Sequence, residues 1–233
     1  MVRGLLREAV AFWGKLVRVN VYVDGFNLYH RALRNARAPD GSTYKWLDLE
    51  KLAAQVLSNP NYAINRIRYF TARVRSLPND PQAPLRQQMY LRALATLPSV
   101  TVHFGFFQKS QKKMQLVKPL ADGTTMVKVH KLEEKGSDVN LATYLLLDAF
   151  QDEYDGAAVV TNDSDLVEPI RIARDVLGKR VEVLDPCGDG RTSAELAKVA
   201  MFYKPVRLGA ISASLFPDSL IDTKGTFRKP APW

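Results

Sequence analysis

Ala157-Ala158-Val159-Val160-Thr161-Asn162-Asp163-Ser164-Asp165 decides how the rest of the chain is read. An apolar run without polar alternation describes a strand covered on both faces, the environment of a parallel sheet. The run then breaks off into a polar, acidic turn. The same design appears near the amino terminus, where the β-branched and aromatic run Val19-Asn20-Val21-Tyr22-Val23 stops at Asp24-Gly25. Further strands are expected at Ile64 to Thr71, Val100 to Phe107 and Val181 to Leu184.

Helical patterns fill the intervals. Asn27 is placed to cap a helix with Leu28, Ala32 and Leu33 on one face. Asp48 to Leu57 reads as a second helix, stopped by Asn59-Pro60, and Pro84 opens a third that runs to Leu97-Pro98. Asp138 to Phe150 carries Val139, Ala142, Leu145, Leu146 and Ala149 at helical spacing, and Leu166 to Leu177 ends at Gly178. Thr192 and Glu195 have capping-box spacing before a last helix. The basic stretch Lys109 to Lys131, with a turn at Asp122-Gly123, reads as a β-hairpin. The chain is therefore α/β, with a mostly parallel sheet, helices on both faces and a basic hairpin insertion. One domain is expected over residues 19–205, preceded by an extension (1–18) with helical character and followed by an irregular tail (206–233) packed on it.

The 233 residues are 46% hydrophobic and 24% charged, an ordinary globular balance. No apolar run approaches the roughly 20 residues that cross a bilayer. A single cysteine, Cys187, allows no disulfide framework and no thiolate zinc site, and a reduced cytoplasmic setting fits. His30, His103 and His130 lack metal-ligand spacing. The net charge of +9 points to a polyanionic partner.

Asp24 ends one strand, Asp163 and Asp165 end another, and Asp138 opens a helix. Ligand sites in open α/β sheets gather at the carboxyl ends of strands, where strand order reverses. Two carboxylates about 4 Å apart repel by roughly 1 kcal/mol in water and about 4 kcal/mol at an effective dielectric near 20. A convergent set must bind protons or hold a cation. All-oxygen ligands select a hard ion, magnesium or manganese before zinc. Taken singly, each aspartate also has a plain structural role: strand end, helix start, turn or cap.

Val23-Asp24-Gly25-Phe26-Asn27 resembles the opening motif of NYN domains, the PIN-like ribonuclease group that includes bacterial LabA/DUF88 proteins. Glu134-Lys135-Gly136-Ser137-Asp138-Val139 resembles the second motif and Thr161-Asn162-Asp163-Ser164-Asp165-Leu166 the third, in the family's order. The resemblance spans roughly Val19 to Lys204. It implies a Rossmann-like sheet with strand order near 3-2-1-4-5 and divalent-metal cleavage of RNA to 5′-phosphate and 3′-hydroxyl ends. It further implies Asp24, Asp138 and Asp163 as ligands of Mg or Mn. Asp165 would be a further ligand or orient the nucleophile, and Asn27 would position the site or a phosphate.

RNA is the expected partner, held by Lys109, Lys112, Lys113, Lys128, Lys131 and Lys135, with Arg73 at the same face. Phe104, Phe106 and Phe107 are candidates to stack on bases, but Phe104 and Phe106, at alternating positions, are expected to fill core. Neither a membrane nor a dinucleotide cofactor is called for; Gly188-Asp189-Gly190 lacks the lysine and spacing of a P-loop and reads as a turn. Nothing fixes an oligomeric state. The rivals are a noncatalytic RNA-binding or scaffolding module and a PIN-type toxin. A haloacid-dehalogenase-like phosphatase would need a second Asp two residues after the first, where this chain has Phe26.

Overall fold

A computed structural model describes residues 16–187, 192–231 and 233. The readings of residues 1–15 and of Gly188-Asp189-Gly190 lie outside these residues. In chain order, β1 (Val17–Asp24) leads into α1 (Gly25–Leu28), which continues as a π-helical turn, Tyr29–Leu33. Next come α2 (Leu49–Val56), β2 (Tyr62–Ala72) and α3 (Ala83–Leu94). The long hairpin β3 (Val100–Gln115) and β4 (Met126–Lys135) follows, then α4 (Ser137–Phe150) and β5 (Gly156–Val160). A short turn, Ser164–Leu166, opens α5 (Val167–Arg171), which runs on through Ile172–Val176. The remainder is β6 (Arg180–Asp185), α6 (Ala194–Val199), β7 (Phe202–Pro205), α7 (Leu208–Ser212), β8 (Ser219–Asp222) and β9 (Gly225–Arg228).

Seven strands form one sheet in the order β4-β3-β2-β1-β5-β6-β7, and every pair except β3–β4 is parallel. The expected five-strand order is its centre, extended by β4 at one edge and β7 at the other. Alternation along β1 feeds two cores. Val19, Val21 and Val23 join a cluster with Leu28, Leu49, Leu52 and Leu94, whereas Tyr22 joins Leu141, Leu145, Ile170 and Leu196. β5, Gly-Ala-Ala-Val-Val, is buried at every position.

Several expectations need correction. β1 begins at Val17, inside the supposed extension. The basic hairpin is present, but its first strand is the outward continuation of β3. The tail is not irregular: α7 and the β8–β9 hairpin pack Phe216, Phe227 and Trp233 around the fully buried Trp46, whose Nε1 donates to the Pro217 carbonyl at 2.9 Å. Elements of four or five residues interrupted by proline are too short to display a period. Phe104 and Phe106 are exposed, at 40% and 61%. They share a face with Val100 and Val102, which pack on the core, but lie beyond the part of that face the helices cover. The first helix is capped by Asp24, whose Oδ1 accepts from the Asn27 amide, and not by Asn27. Ser193, not Thr192, caps α6.

A polar network unannounced by the sequence pattern ties α4 to the sheet. Arg68 of β2 donates from Nε and Nη2 to both oxygens of Asp148, each at 2.8 Å, and the Tyr22 hydroxyl donates to the same carboxylate at 2.7 Å. The Arg68 guanidinium lies over the Tyr144 ring, 4.5 Å from its centroid. Asp148 is 1% exposed and Arg68 8%. Removing one partner leaves the other charged and unpaired in a dry site, a loss of about 3–5 kcal/mol. Asp148→Ala is therefore expected to lower stability by about that amount in denaturant unfolding; a change within about 0.5 kcal/mol, the range of an ordinary surface substitution, would show that the pair does not hold α4.

Candidate metal centre at the strand ends

Adjacent parallel strands bring the acids together. The β1–β5 register pairs Val23 with Val160, so Asp24 and Thr161 follow at the same level and Asp163 lies just beyond. This is also where strand order turns, because β1 is flanked by β2 on one side and β5 on the other. Asp138 arrives from the first turn of α4. Gly136, with φ of +93°, makes the sharp entry to that helix, a conformation that favours glycine. Gly25 answers a different demand: a Cβ there would stand 2.6 Å from the Phe70 carbonyl and the Tyr69 ring, so the chain after Asp24 could not turn as it does.

One carboxylate oxygen from each of Asp24, Asp138 and Asp163 lies within 4.8 Å of the other two. An octahedral ion with bonds of about 2.1 Å separates its ligands by about 3.0 Å across an edge and about 4.2 Å across the centre. The set therefore closes on such an ion with small side-chain rotations, and its all-oxygen chemistry fits magnesium or manganese. Asp165, expected as a fourth ligand, lies outside this set; its backbone N–H donates to Asp163 Oδ1 at 3.0 Å.

Supporting groups hold the acids in place. The Thr161 hydroxyl donates to Asp24 Oδ2 at 3.1 Å and accepts from the Asp163 amide at 3.1 Å, linking two candidate ligands through one buried oxygen. Asn27 Oδ1 accepts from the Asn162 amide at 3.1 Å, which pins the β5 loop to α1. Asn162 in turn accepts from the Ser193 amide at 2.8 Å and from the Tyr203 hydroxyl at 3.0 Å.

A cleft of about 300 Å³ opens over the acids, lined by Asp24, Asn27, Asp138 and Asp163 together with Phe26, His30, Arg31, Phe107 and Glu134. Phe26, His30, Arg31 and Glu134 were not anticipated as site residues, whereas Phe107 is a base-stacking candidate by sequence. Glu134 falls within a motif but reads as strand, and its Oε1 accepts from the Ser137 amide and hydroxyl. Arg31 and His30 line the cleft from the π-helical turn that continues α1. Arg73 is not in the cleft; its guanidinium stacks on Phe104, 4.6 Å from the centroid.

Burial pushes the Asp24 carboxyl up to about 7, with Asp138 and Asp163 adding to the rise against the opposing hydrogen bonds from Asn27 and Thr161. Burial likewise lifts Asp138 to about 6, helped by the charges of Asp163, Glu134 and Asp165. Crowded anions without a counter-charge hold protons more tightly than they would in an unfolded chain.

A model of the NYN domain matches residues 18–204, and the chain belongs to the NYN family. It is 28% identical to the 6-hydroxy-3-succinoylpyridine 3-monooxygenase of Pseudomonas putida over 93% of this chain and 75% of that protein. A crystal structure of a protein of unknown function from Vibrio parahaemolyticus resembles the fold, with a TM-score of 0.50 and 15% identity over 86% of this chain and 96% of the other. Among the described residues, no helix is long and apolar enough to cross a membrane.

The raised carboxyls have a consequence for stability. Between about pH 4 and 7 these two carboxyls bind more protons in the native than in the unfolded state, so in chelator their contribution to stability is fully present below about pH 4 and is lost as pH rises through these values. For Asp24 alone the loss approaches about 4 kcal/mol. Asp24→Asn should flatten that slope and raise the melting temperature at pH 8 in chelator; an unchanged pH profile would mean that Asp24 is not ionised at a cost.

Proposed function

We propose that this NYN-family protein is a divalent-metal-dependent ribonuclease whose Asp24, Asp138 and Asp163 hold magnesium or manganese. The observation that supports this reading above all others is the convergence of those three carboxylates, from β1, α4 and the β5 loop, to within 4.8 Å. When bound, the ion would neutralise phosphate charge and acidify an attacking water.

The chain's own groups divide the remaining work. Thr161 and the Asn27 amide fix the two oxygens of Asp24, so that its charge is aimed and not mobile. Asn27 holds the Asn162 backbone and with it the start of the loop that bears Asp163. Arg31, at the cleft wall, offers a guanidinium to the phosphate. Phe26 and Phe107, edge to face at 5.7 Å, form an apolar wall against which a base can stack. Asp165 adds negative field from outside the ligand set. The products in this reading carry 5′-phosphate and 3′-hydroxyl ends.

The monooxygenase relative favours a second reading, oxidation of a small aromatic ring in the same cleft. That reading requires oxygen uptake when 6-hydroxy-3-succinoylpyridine and a reduced nicotinamide or flavin electron source are added together. The nuclease reading requires none.

The deciding assay is cleavage of single-stranded and structured RNA in manganese by the wild type and by Asp163→Asn. Loss of a ligand is expected to reduce cleavage at least about 100-fold with the fold intact by circular dichroism. Equal cleavage by both proteins would end the assignment. RNA binding without turnover in either metal would leave a noncatalytic RNA-binding module.

A further inference from the structure

The lysines of the β3–β4 hairpin do not form one patch. Side chains alternate across a strand, and residues directly opposite on antiparallel partners share a face. Phe107 pairs with Glu134, Lys109 with Leu132, Gln111 with His130, and Lys113 with Lys128. Lys109, Lys113 and Lys128 therefore share the face of Phe107 and Glu134, which form a wall of the cleft. The reverse face carries Phe106 with Lys135, Gln108 with Glu133, Ser110 with Lys131, and Lys112 with Val129.

The two faces differ electrostatically. On the reverse face Glu133 gathers Lys131, Lys112 at 3.5 Å and Lys135 at 4.0 Å. The Lys131 hydrogen bond, followed by the charges of these lysines, holds the Glu133 carboxyl below the usual range. On the cleft side, the Glu134 carboxylate turns inward to Ser137. Among the described residues, no ion pair engages Lys109, Lys113 or Lys128. Lys109 and Lys113 are four residues apart, about 13 Å along an extended strand. The cleft they lead to, at about 300 Å³, is at the small end of ligand pockets and has room for one unpaired nucleotide.

We infer that the cleft-side face of this arm is a track for single-stranded RNA, with Lys109, Lys113 and Lys128 on phosphates and the reverse-face lysines outside it. The track rests on the ribonuclease reading and supplies its substrate class. Lys112, Lys131 and Lys135, RNA-binding candidates by sequence, are occupied by Glu133.

Two triple variants test it: Lys109→Gln/Lys113→Gln/Lys128→Gln on the cleft side and Lys112→Gln/Lys131→Gln/Lys135→Gln on the reverse. Binding of a labelled single strand of about 15 nucleotides and of its blunt duplex is followed across salt in chelator, where cleavage is suppressed. The cleft-side variant should bind the single strand at least about tenfold more weakly and flatten the log–log salt slope by about 2, at about 0.7 for each phosphate that a lysine no longer neutralises. The reverse-face variant should stay within about threefold of the wild type, and the wild type should prefer the single strand. Equal weakening by both variants, or a preference for duplex, would overturn the track while manganese-dependent cleavage by the wild type still stood. Wild-type protein that neither binds nor cleaves RNA, or that binds anionic vesicles in its place, would overturn the track and the activity together.

Discussion

Asp24 and Asp163 are crowded because a parallel sheet delivers all its strand ends to one edge. β1 and β5 run side by side in the same direction; β1 ends in Asp24 at the level of Thr161, and Asp163 follows two residues beyond. Neither strand can retreat, since β5 is buried throughout and β1 feeds a core on each face. The hydrophobic drive that seals the sheet therefore forces like charges together. Protonation relieves the repulsion in the apoprotein, as the raised carboxyls of Asp24 and Asp138 record. A hard cation relieves it better, because it supplies the missing charge without removing the anions.

The third acid depends on a different piece of physics. Asp138 belongs to α4, and α4 is held over the sheet at its other end by Asp148, bound by Arg68 and Tyr22. A buried ion pair is a weak contributor to stability next to an apolar contact of equal size, but it tolerates only one rotation and one height of the helix. At the near end, Gly136 and the Glu134–Ser137 hydrogen bonds set where the first turn begins. The metal-binding geometry of one aspartate is thus controlled by groups some three turns of helix away.

How much of this was readable follows from what leaves a mark in sequence. Unbroken apolar runs marked the central strands, and acids directly after them marked the candidate ligands, so Asp24 and Asp163 could be placed with the fold. Asp138 was placed by motif. Other features arise only when distant segments meet: the Arg68–Asp148 pair joins positions 80 residues apart, and Arg31 shares the cleft with Phe107 and Glu134 of the hairpin. Phe104 and Phe106 showed the limit of alternation, which assigns a face but not whether anything covers it. The same rule, applied with the register known, divided six lysines into two groups with different surroundings. The elements of the tail were not legible because four or five residues hold little more than one helical turn or two strand repeats, too few to establish a pattern.

All of this depends on whether the three aspartates act as one cation site. Calorimetric titration of the chelator-treated protein with manganese, at pH 6 and pH 8 in buffers of different ionisation enthalpy, addresses that directly. Binding to raised carboxyls must displace their protons, so saturable binding with about one proton released at pH 6 and markedly less at pH 8 is the predicted result. No saturable binding at millimolar manganese, or binding with the same proton balance at both pH values, would contradict the account.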